Sequence, residues 1–380
     1  MVDIRFSPYA PVRLRKDFWW LYAVEAAQHG AITPQGRIAA SLPDHILQDL
    51  VVPSTRLAAE SMKDDPNVGE IMGQMSARLT SLRHWVPLVG QYELCGRQIF
   101  DLTDDLVEML AQTDVGDCTL EDWHPPYDAF YVRFGKRDDI RLPFEDDYEY
   151  LDGAFVAVSS LDTEGLQRRI KFGFSTVKGD GGGVMMPGLF FDFLEGELKL
   201  PISNAIEVSF QRKYAEFADN PAGSESGNAL NAYRRDLLTD AREILQSATN
   251  LLINSLFYIE SVGSPKRAEP GRDTPADLTV RWAQSPPEKR QKLRSTLTRD
   301  GYTVVYLIGQ ELTATGVPRA TSTKRAHWRR GHWRQQPYGS GLQEKRRIWI
   351  KPTMIHQDVE HHEPPGHVYV TGGPGAGRTH

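Results

Sequence analysis

Two runs near the C-terminus combine side chains that grip anions, stack on rings and exchange protons. The first is Lys324-Arg325-Ala326-His327-Trp328-Arg329-Arg330-Gly331-His332-Trp333-Arg334. The second is Lys345-Arg346-Arg347-Ile348-Trp349-Ile350-Lys351-Pro352, and a Gly- and Gln-containing connection, Gln335 to Gln343, joins them. Arg and Lys donate hydrogen bonds to phosphates and carboxylates. Trp stacks on bases or anchors protein interfaces. Residues 319–353 hold ten Lys/Arg and one acid, Glu344, which leaves 34 basic and 49 acidic residues elsewhere. A segment of +9 therefore sits on a body of −15, within a chain of net charge −6. Such asymmetry marks an interaction element.

Strand parity sorts these residues. Side chains alternate across a strand, so Ile348 and Ile350 share one face, and Arg347, Trp349 and Lys351 share the other. In the first run Trp328, Arg330, His332 and Arg334 share a face, opposite His327, Arg329, Gly331 and Trp333. A β-hairpin with a nine-residue connection is expected, with the isoleucines packed inward. Arg330, His332, Trp333, Arg334, Arg347, Trp349 and Lys351 are the binding candidates. Three readings of them stay open. Cations around an indole suit RNA or single-stranded DNA. They equally suit an acidic protein surface. The third is structural, with Arg stacked on Trp and paired with the protein's own acids. His332, between Arg330 and Arg334, is the candidate catalytic residue if RNA is cleaved. No second acid/base is evident there, and Glu344 is the one nearby acid. An enzyme is not the favoured reading.

The remaining chain must position this module. Residues 16–115 read as helical, with apolar sets Phe18, Tyr22, Val24 and Ala27, then Leu79, Leu82, Trp85 and Val86. Asp101 or Thr103 is placed to cap a short helix carrying Leu106, Met109 and Leu110. After Trp123-His124-Pro125-Pro126 the pattern turns to strands: Ala129–Phe134, Ala154–Val158, Ile170–Phe174, Leu189–Phe193 and Ala205–Phe210. A long helix, Asn228 to Ile259, carries Leu230, Leu237, Ile244 and Leu251 at seven-residue spacing, with Leu238, Leu245 and Leu252 beside them. Ser261 to Pro275 reads as a mobile loop, Pro286 to Arg299 as a basic helix and Tyr302 to Gly309 as a buried strand. The expected fold is α+β. It has a helical N-terminal part (1–118), a mainly antiparallel β region (119–219), one long bracing helix (228–260), a C-terminal α/β part with the basic hairpin (277–356) and a disordered tail (371–380).

Several chemistries are set aside. No apolar run approaches a membrane span, and no leader pattern is present. Cys95 and Cys118 have no metal or redox spacing, so a reduced cytoplasm is expected and both are packing residues. Lys178-Gly179-Asp180-Gly181-Gly182-Gly183 lacks the Gly-Lys-Ser/Thr of a phosphate loop and reads as a hairpin turn. Glu145-Asp146-Asp147-Tyr148-Glu149 reads as a solvated loop. The tract from His356 to His367 lacks a standard zinc spacing. No cofactor and no metal are expected.

The run Arg330-Gly331-His332-Trp333-Arg334, followed by Arg347-Ile348-Trp349-Ile350-Lys351-Pro352, resembles the C-terminal part of a phage and plasmid protein family. That family includes the second type V-A anti-CRISPR protein. Weaker echoes are Pro126-Tyr127-Asp128-Ala129-Phe130-Tyr131-Val132, Leu251-Leu252-Ile253-Asn254-Ser255-Leu256-Phe257 and Tyr306-Leu307-Ile308-Gly309-Gln310, in the same order. The resemblance covers residues 120–355. It implies a counter-defence protein acting in the cytoplasm of a bacterial host. It further implies that the protein lowers production of the type V-A effector by recognising its nascent N-terminal polypeptide at the ribosome, with loss of its mRNA. An RNA-binding or RNA-cleaving protein using the hairpin is the alternative. The loop at Pro265–Pro275 and the His-rich tract have no counterpart in the family.

Overall fold

A computed structural model describes residues 7–15, 85–144, 147–161, 167–179, 184–185, 190–218, 242–261, 268–300, 302–310 and 327–355. In chain order the elements are α1 (Ala10–Leu14), α2 (residues 85–94), β1 (Ile99–Leu102), α3 (Asp104–Ala111), β2 (Thr113–Asp114), β3 (Ala129–Phe144), β4 (Asp147–Leu161) and β5 (Gln167–Lys178). Then come β6 (Val184–Met185), β7 (Phe190–Phe193), α4 (Glu195–Leu198), α5 (Ile202–Ala218), α6 (Arg242–Ser261), β8 (Glu269–Pro270), α7 (Ala276–Gln284) and α8 (Pro287–Arg299). The chain continues with β9 (Val304–Ile308), β10 (His327–Arg329), β11 (Gly331–Tyr338), β12 (Glu344–Ile350) and β13 (Thr353–Ile355). The fold is α+β.

The main sheet runs in the order β6-β5-β4-β3-β1-β9-β8, with β7 beside β6 on the outer edge of β5. β1 lies parallel to β3 and to β9, and the other pairs are antiparallel. Alternation along the strands feeds two cores. Phe100, Phe130, Val132, Val156, Phe172 and Ile308 enter the larger one, beneath α3 and α6. Ile99, Tyr131, Phe155 and Val305 enter the other, with Tyr9, Trp85, Val89 and Tyr92 from α1 and α2. The sheet is covered on both faces. That explains why its strands read as continuous apolar and aromatic runs.

Four of the five strand segments between 129 and 210 fall in strands, but Ala205–Phe210 belongs to α5. The burial explains it. Ile202, Ala205, Ile206 and Phe210 are buried while Val208 is exposed. Intervals of three, one and four residues make one face of a helix, and this outweighs the β-branched content. The Gly-rich loop joins an antiparallel pair, β5 and β6, as a hairpin turn should; its residues 180–183 lie outside the described residues, as does the start of the acid cluster at 145–146. The rest of that cluster is not the solvated loop expected: Asp147, Tyr148 and Glu149 open β4, where Glu149 is buried and accepts the Thr176 hydroxyl at 2.7 Å. Also outside the described residues are the helical sets at 18–27 and 79–82, the half of the long helix at 228–241, the His-rich tract and the C-terminal tail. The other half of the long helix is α6. From Leu251 to Ile259 it is buried on all sides, as a stretch apolar but for Asn254 and Ser255 requires, and those two side chains are hydrogen-bonded.

β1 is a strand within residues 16–115, where the sequence pattern predicts helix. Asp101, taken as a potential helix cap, lies mid-strand and fully buried. Its carboxylate receives the Arg133 guanidinium at 3.1 Å, Arg272 Nε at 3.0 Å and the Tyr9 hydroxyl at 2.8 Å. Arg133 also donates to the Pro8 carbonyl at 3.1 Å. Arg272 comes from the segment expected to be a mobile loop. Instead, β8 pairs with β9 and Gly271 donates its N–H to the Thr303 carbonyl at 2.8 Å. This cluster ties the segment before α1 and the segment after β8 to the sheet centre.

Asp152 sits nearby and accepts a hydrogen bond from Tyr131 at 3.1 Å. Burial raises its carboxyl above the ordinary carboxylate value, against the opposing pull of Arg133 and Arg13. Ionised Asp152 therefore carries a folding penalty above that raised value, relieved as pH falls toward 3.8. Relative to an Asp152→Asn variant, the parent chain is expected to gain stability as pH is lowered through this range. Urea midpoints measured in parallel check it; a gap that is constant with pH would contradict it.

Candidate functional site

The basic segment does form a hairpin. β11 and β12 pair antiparallel from His332↔Ile350 to Tyr338↔Glu344. Gln335 to Tyr338 belong to the strand, so the connection shortens to Gly339–Gln343 rather than running from Gln335. Gly339 and Gly341 take positive φ there, the backbone state that a tight turn asks of glycine. On its other edge β11 lies parallel to β2, with Gly331 opposite Thr113. β10 pairs separately with β13.

The facing differs from the expectation. Trp333 and Trp349 are directly opposed and both point into the body. Trp333 is 6% exposed, whereas Ile350 is 37% exposed. The two indoles stack at 6.2 Å between centroids. Trp333 meets Phe257 edge-on at 5.6 Å, and Trp349 meets Tyr258 at 5.1 Å. Each indole N–H finds a partner. Trp333 Nε1 donates to Asn254 Oδ1 at 2.8 Å and Trp349 Nε1 donates to Thr113 Oγ1 at 3.1 Å. Asn254 in turn donates to the Leu110 and Thr113 carbonyls, at 3.1 and 2.9 Å. α6, α3 and β2 thus converge on the hairpin through one buried amide.

Arg347 follows Trp349 inward. Its guanidinium lies 3.7 Å from the Phe257 ring centroid, pairs with Glu260 at 2.7 Å and donates to the Thr119 carbonyl at 3.3 Å. For Arg347 and the two tryptophans, the structural reading of the basic module is the one realised. The isoleucines are displaced because α6 supplies aromatic rings and a carboxylate, which suit indole and guanidinium better than a branched alkyl group. Burial keeps the thiol of Cys118, beside Arg347, raised above its ordinary value.

What reaches solvent is a different set. Arg330, His332, Arg334, Lys345, Arg346 and Lys351 are exposed, with Ile348 half-buried among them. On the outer face His332 stands opposite Ile350, and Arg334 opposite Ile348. Arg346 lies over the Tyr338 ring at 5.8 Å. Both indoles of the hairpin are turned away, so neither Trp333 nor Trp349 presents a ring face on which a base could stack. Lys345 and Arg346 were not among the binding candidates. Their position beside Arg347 and at the start of β12 was the available signal.

Gly331 has a steric role. A Cβ there would lie 2.7 Å from Thr113 Oγ1 and 2.7 Å from Pro352 Cδ. Gly331→Ala is expected to cost about 1–3 kcal/mol by prying β11 from β2. Chemical unfolding of the variant measures this, and an unchanged midpoint would contradict the close packing.

The profile of the AcrVA2-like family, the anti-CRISPR type V subtype A2 family, matches residues 100–357. No curated protein sequence matches the chain. Among solved structures, the crystal structure of AcrVA2 is similar at 12% identity and a TM-score of 0.38, covering 90% of this chain and 96% of that one. No described helix is long and apolar enough to cross a membrane. The matched residues run from the central strand β1 through α6 to the end of β13, and the chain belongs to the AcrVA2-like anti-CRISPR family.

Proposed function

We propose that this chain is a mobile-element counter-defence protein that acts in the bacterial cytoplasm. It suppresses production of a type V-A CRISPR effector by recognising the effector's N-terminal polypeptide during synthesis, and loss of the mRNA follows. The observation that carries this reading is the family match over residues 100–357. Arg330, His332 and Arg334 on the exposed hairpin face form the contact set, together with the exposed Lys351 that follows β12. Trp333, Arg347 and Trp349 hold that face in position. A cationic rim of this kind steers an acidic partner and loses strength with salt.

Co-expression with a type V-A effector tests the reading. Effector protein and effector mRNA are both expected to fall, relative to cells carrying an empty vector. Unchanged levels, together with no binding of purified effector, would overturn it. A double Arg330→Ala/Arg334→Ala variant is expected to fold normally and to bind the N-terminal polypeptide more weakly, with the larger difference at low salt. Titration at two salt concentrations measures this.

A further inference from the structure

We infer that the outer edge of β12 receives the partner polypeptide as an added β-strand, an inference that rests on the proposed recognition of a polypeptide. β12 is the terminal strand of the three-stranded sheet β12-β11-β2, and among the described residues no further strand pairs with it. The register fixes which backbone groups face that edge. Gly331 N–H donates away from β12, to the Gln112 carbonyl at 3.2 Å. In an antiparallel ladder alternate residues point toward and away from the partner strand, so Trp333, Gln335 and Pro337 also face away. Pro337, which has no N–H to give, fits that phase. Their partners on β12 are Trp349, Arg347 and Lys345. The N–H and C=O groups of these three therefore point outward from the sheet, while Arg346, Ile348 and Ile350 bond to β11.

The edge is preformed, because Trp349 and Arg347 are locked into the body by Thr113, Tyr258, Phe257 and Glu260. Its outer row sets the exposed cation Arg346 beside an apolar step, Ile348 and Ile350, and the exposed Lys351 follows just past the strand end. That surface fits an extended segment with apolar residues flanked by acids, held by main-chain hydrogen bonds with side chains giving specificity. A second copy fits poorly. Pairing β12 with itself brings two copies of a strand with three cations and one acid, Glu344, side by side, and like charges across strands repel. Edge lysines commonly prevent such self-pairing. An RNA strand cannot supply the alternating donors and acceptors that the edge requires.

Hydrogen exchange on the full-length chain, with and without a synthetic peptide of the effector's N-terminal segment, tests the proposal. The amides of Lys345, Arg347 and Trp349 are expected to gain protection with peptide. Those of Arg346, Ile348 and Ile350, already bonded to β11, are expected to change little. Ile348→Glu and Ile350→Glu place acids on the outer face and are expected to weaken peptide binding about tenfold or more, with the circular dichroism spectrum unchanged. Peptide binding that protects other segments and leaves β12 unchanged overturns the strand proposal while leaving the recognition reading intact. Absence of peptide binding, with effector levels also unaffected, overturns both. Protection of the same amides without peptide, rising with protein concentration, identifies a second copy on the edge and overturns the proposal.

Discussion

Trp333→Ala is expected to destabilise the protein by about 3–5 kcal/mol, the range for deleting a buried aromatic side chain. The indole is 6% exposed, stacks on Trp349 and meets Phe257 edge-on. Its removal also strands Asn254 Oδ1, whose amide partners on the other side, Leu110 and Thr113, hold it in place. A buried acceptor without a donor adds about 1–3 kcal/mol. The lost contacts sit between the hairpin and α6, so the hairpin is the part expected to open. Urea unfolding and limited proteolysis within residues 331–350 read the two effects. Trp333→Phe separates them: it keeps most of the ring packing and loses the N–H, so it should show the smaller cost. A Trp333→Ala midpoint equal to that of the parent chain would mean that the indole is not packed as described.

Asp101→Ala is expected to cost a similar amount, about 3–5 kcal/mol, because it leaves a buried cation without its counter-charge. The two arginines do not contribute equally. Arg133 has an 11% exposed side chain and cannot be rescued by water, whereas Arg272 at 38% is partly screened. Tyr9 loses its acceptor at the same time. The damage therefore reaches the segment before α1, which Arg133 holds through the Pro8 carbonyl. Faster proteolysis near Tyr9, together with a lower unfolding midpoint, is the expected signature. Loss of stability with no change near Tyr9 would show that the cluster does not anchor that segment.

The sequence carried much of the architecture and only part of the site. Long apolar and aromatic runs announced β3, β4, β5 and β9, since strands covered on both faces need no alternation. β1 escaped because its four residues contain Asp101, and a carboxylate reads as a cap until Arg133 and Arg272 are brought to it across the sheet. α5 was misread because Ile and Val imply a strand when spacing is ignored. The hairpin itself was legible, through charge, aromatic content and the Gly-containing connection. Its facing was not. Alternation in Arg347-Ile348-Trp349-Ile350 separates two faces without saying which one is buried. That choice is made by Phe257, Tyr258 and Glu260 on α6, 87 residues away for the Arg347–Glu260 pair. Of the seven binding candidates, Trp333, Arg347 and Trp349 pack against the body, while Arg330, His332, Arg334 and Lys351 are exposed.

One measurement bears most directly on the claim that a polypeptide, and not its message, is recognised. The effector's N-terminal coding segment is fused to an unrelated reporter and expressed with this chain. A second fusion keeps the amino acids but recodes every codon that has a synonym, and a third keeps most nucleotides but shifts the reading frame. Reporter protein and mRNA are expected to fall for the first two and to hold for the third. Loss that follows the nucleotide sequence into the frameshifted fusion, or no loss in any of the three, would contradict the account.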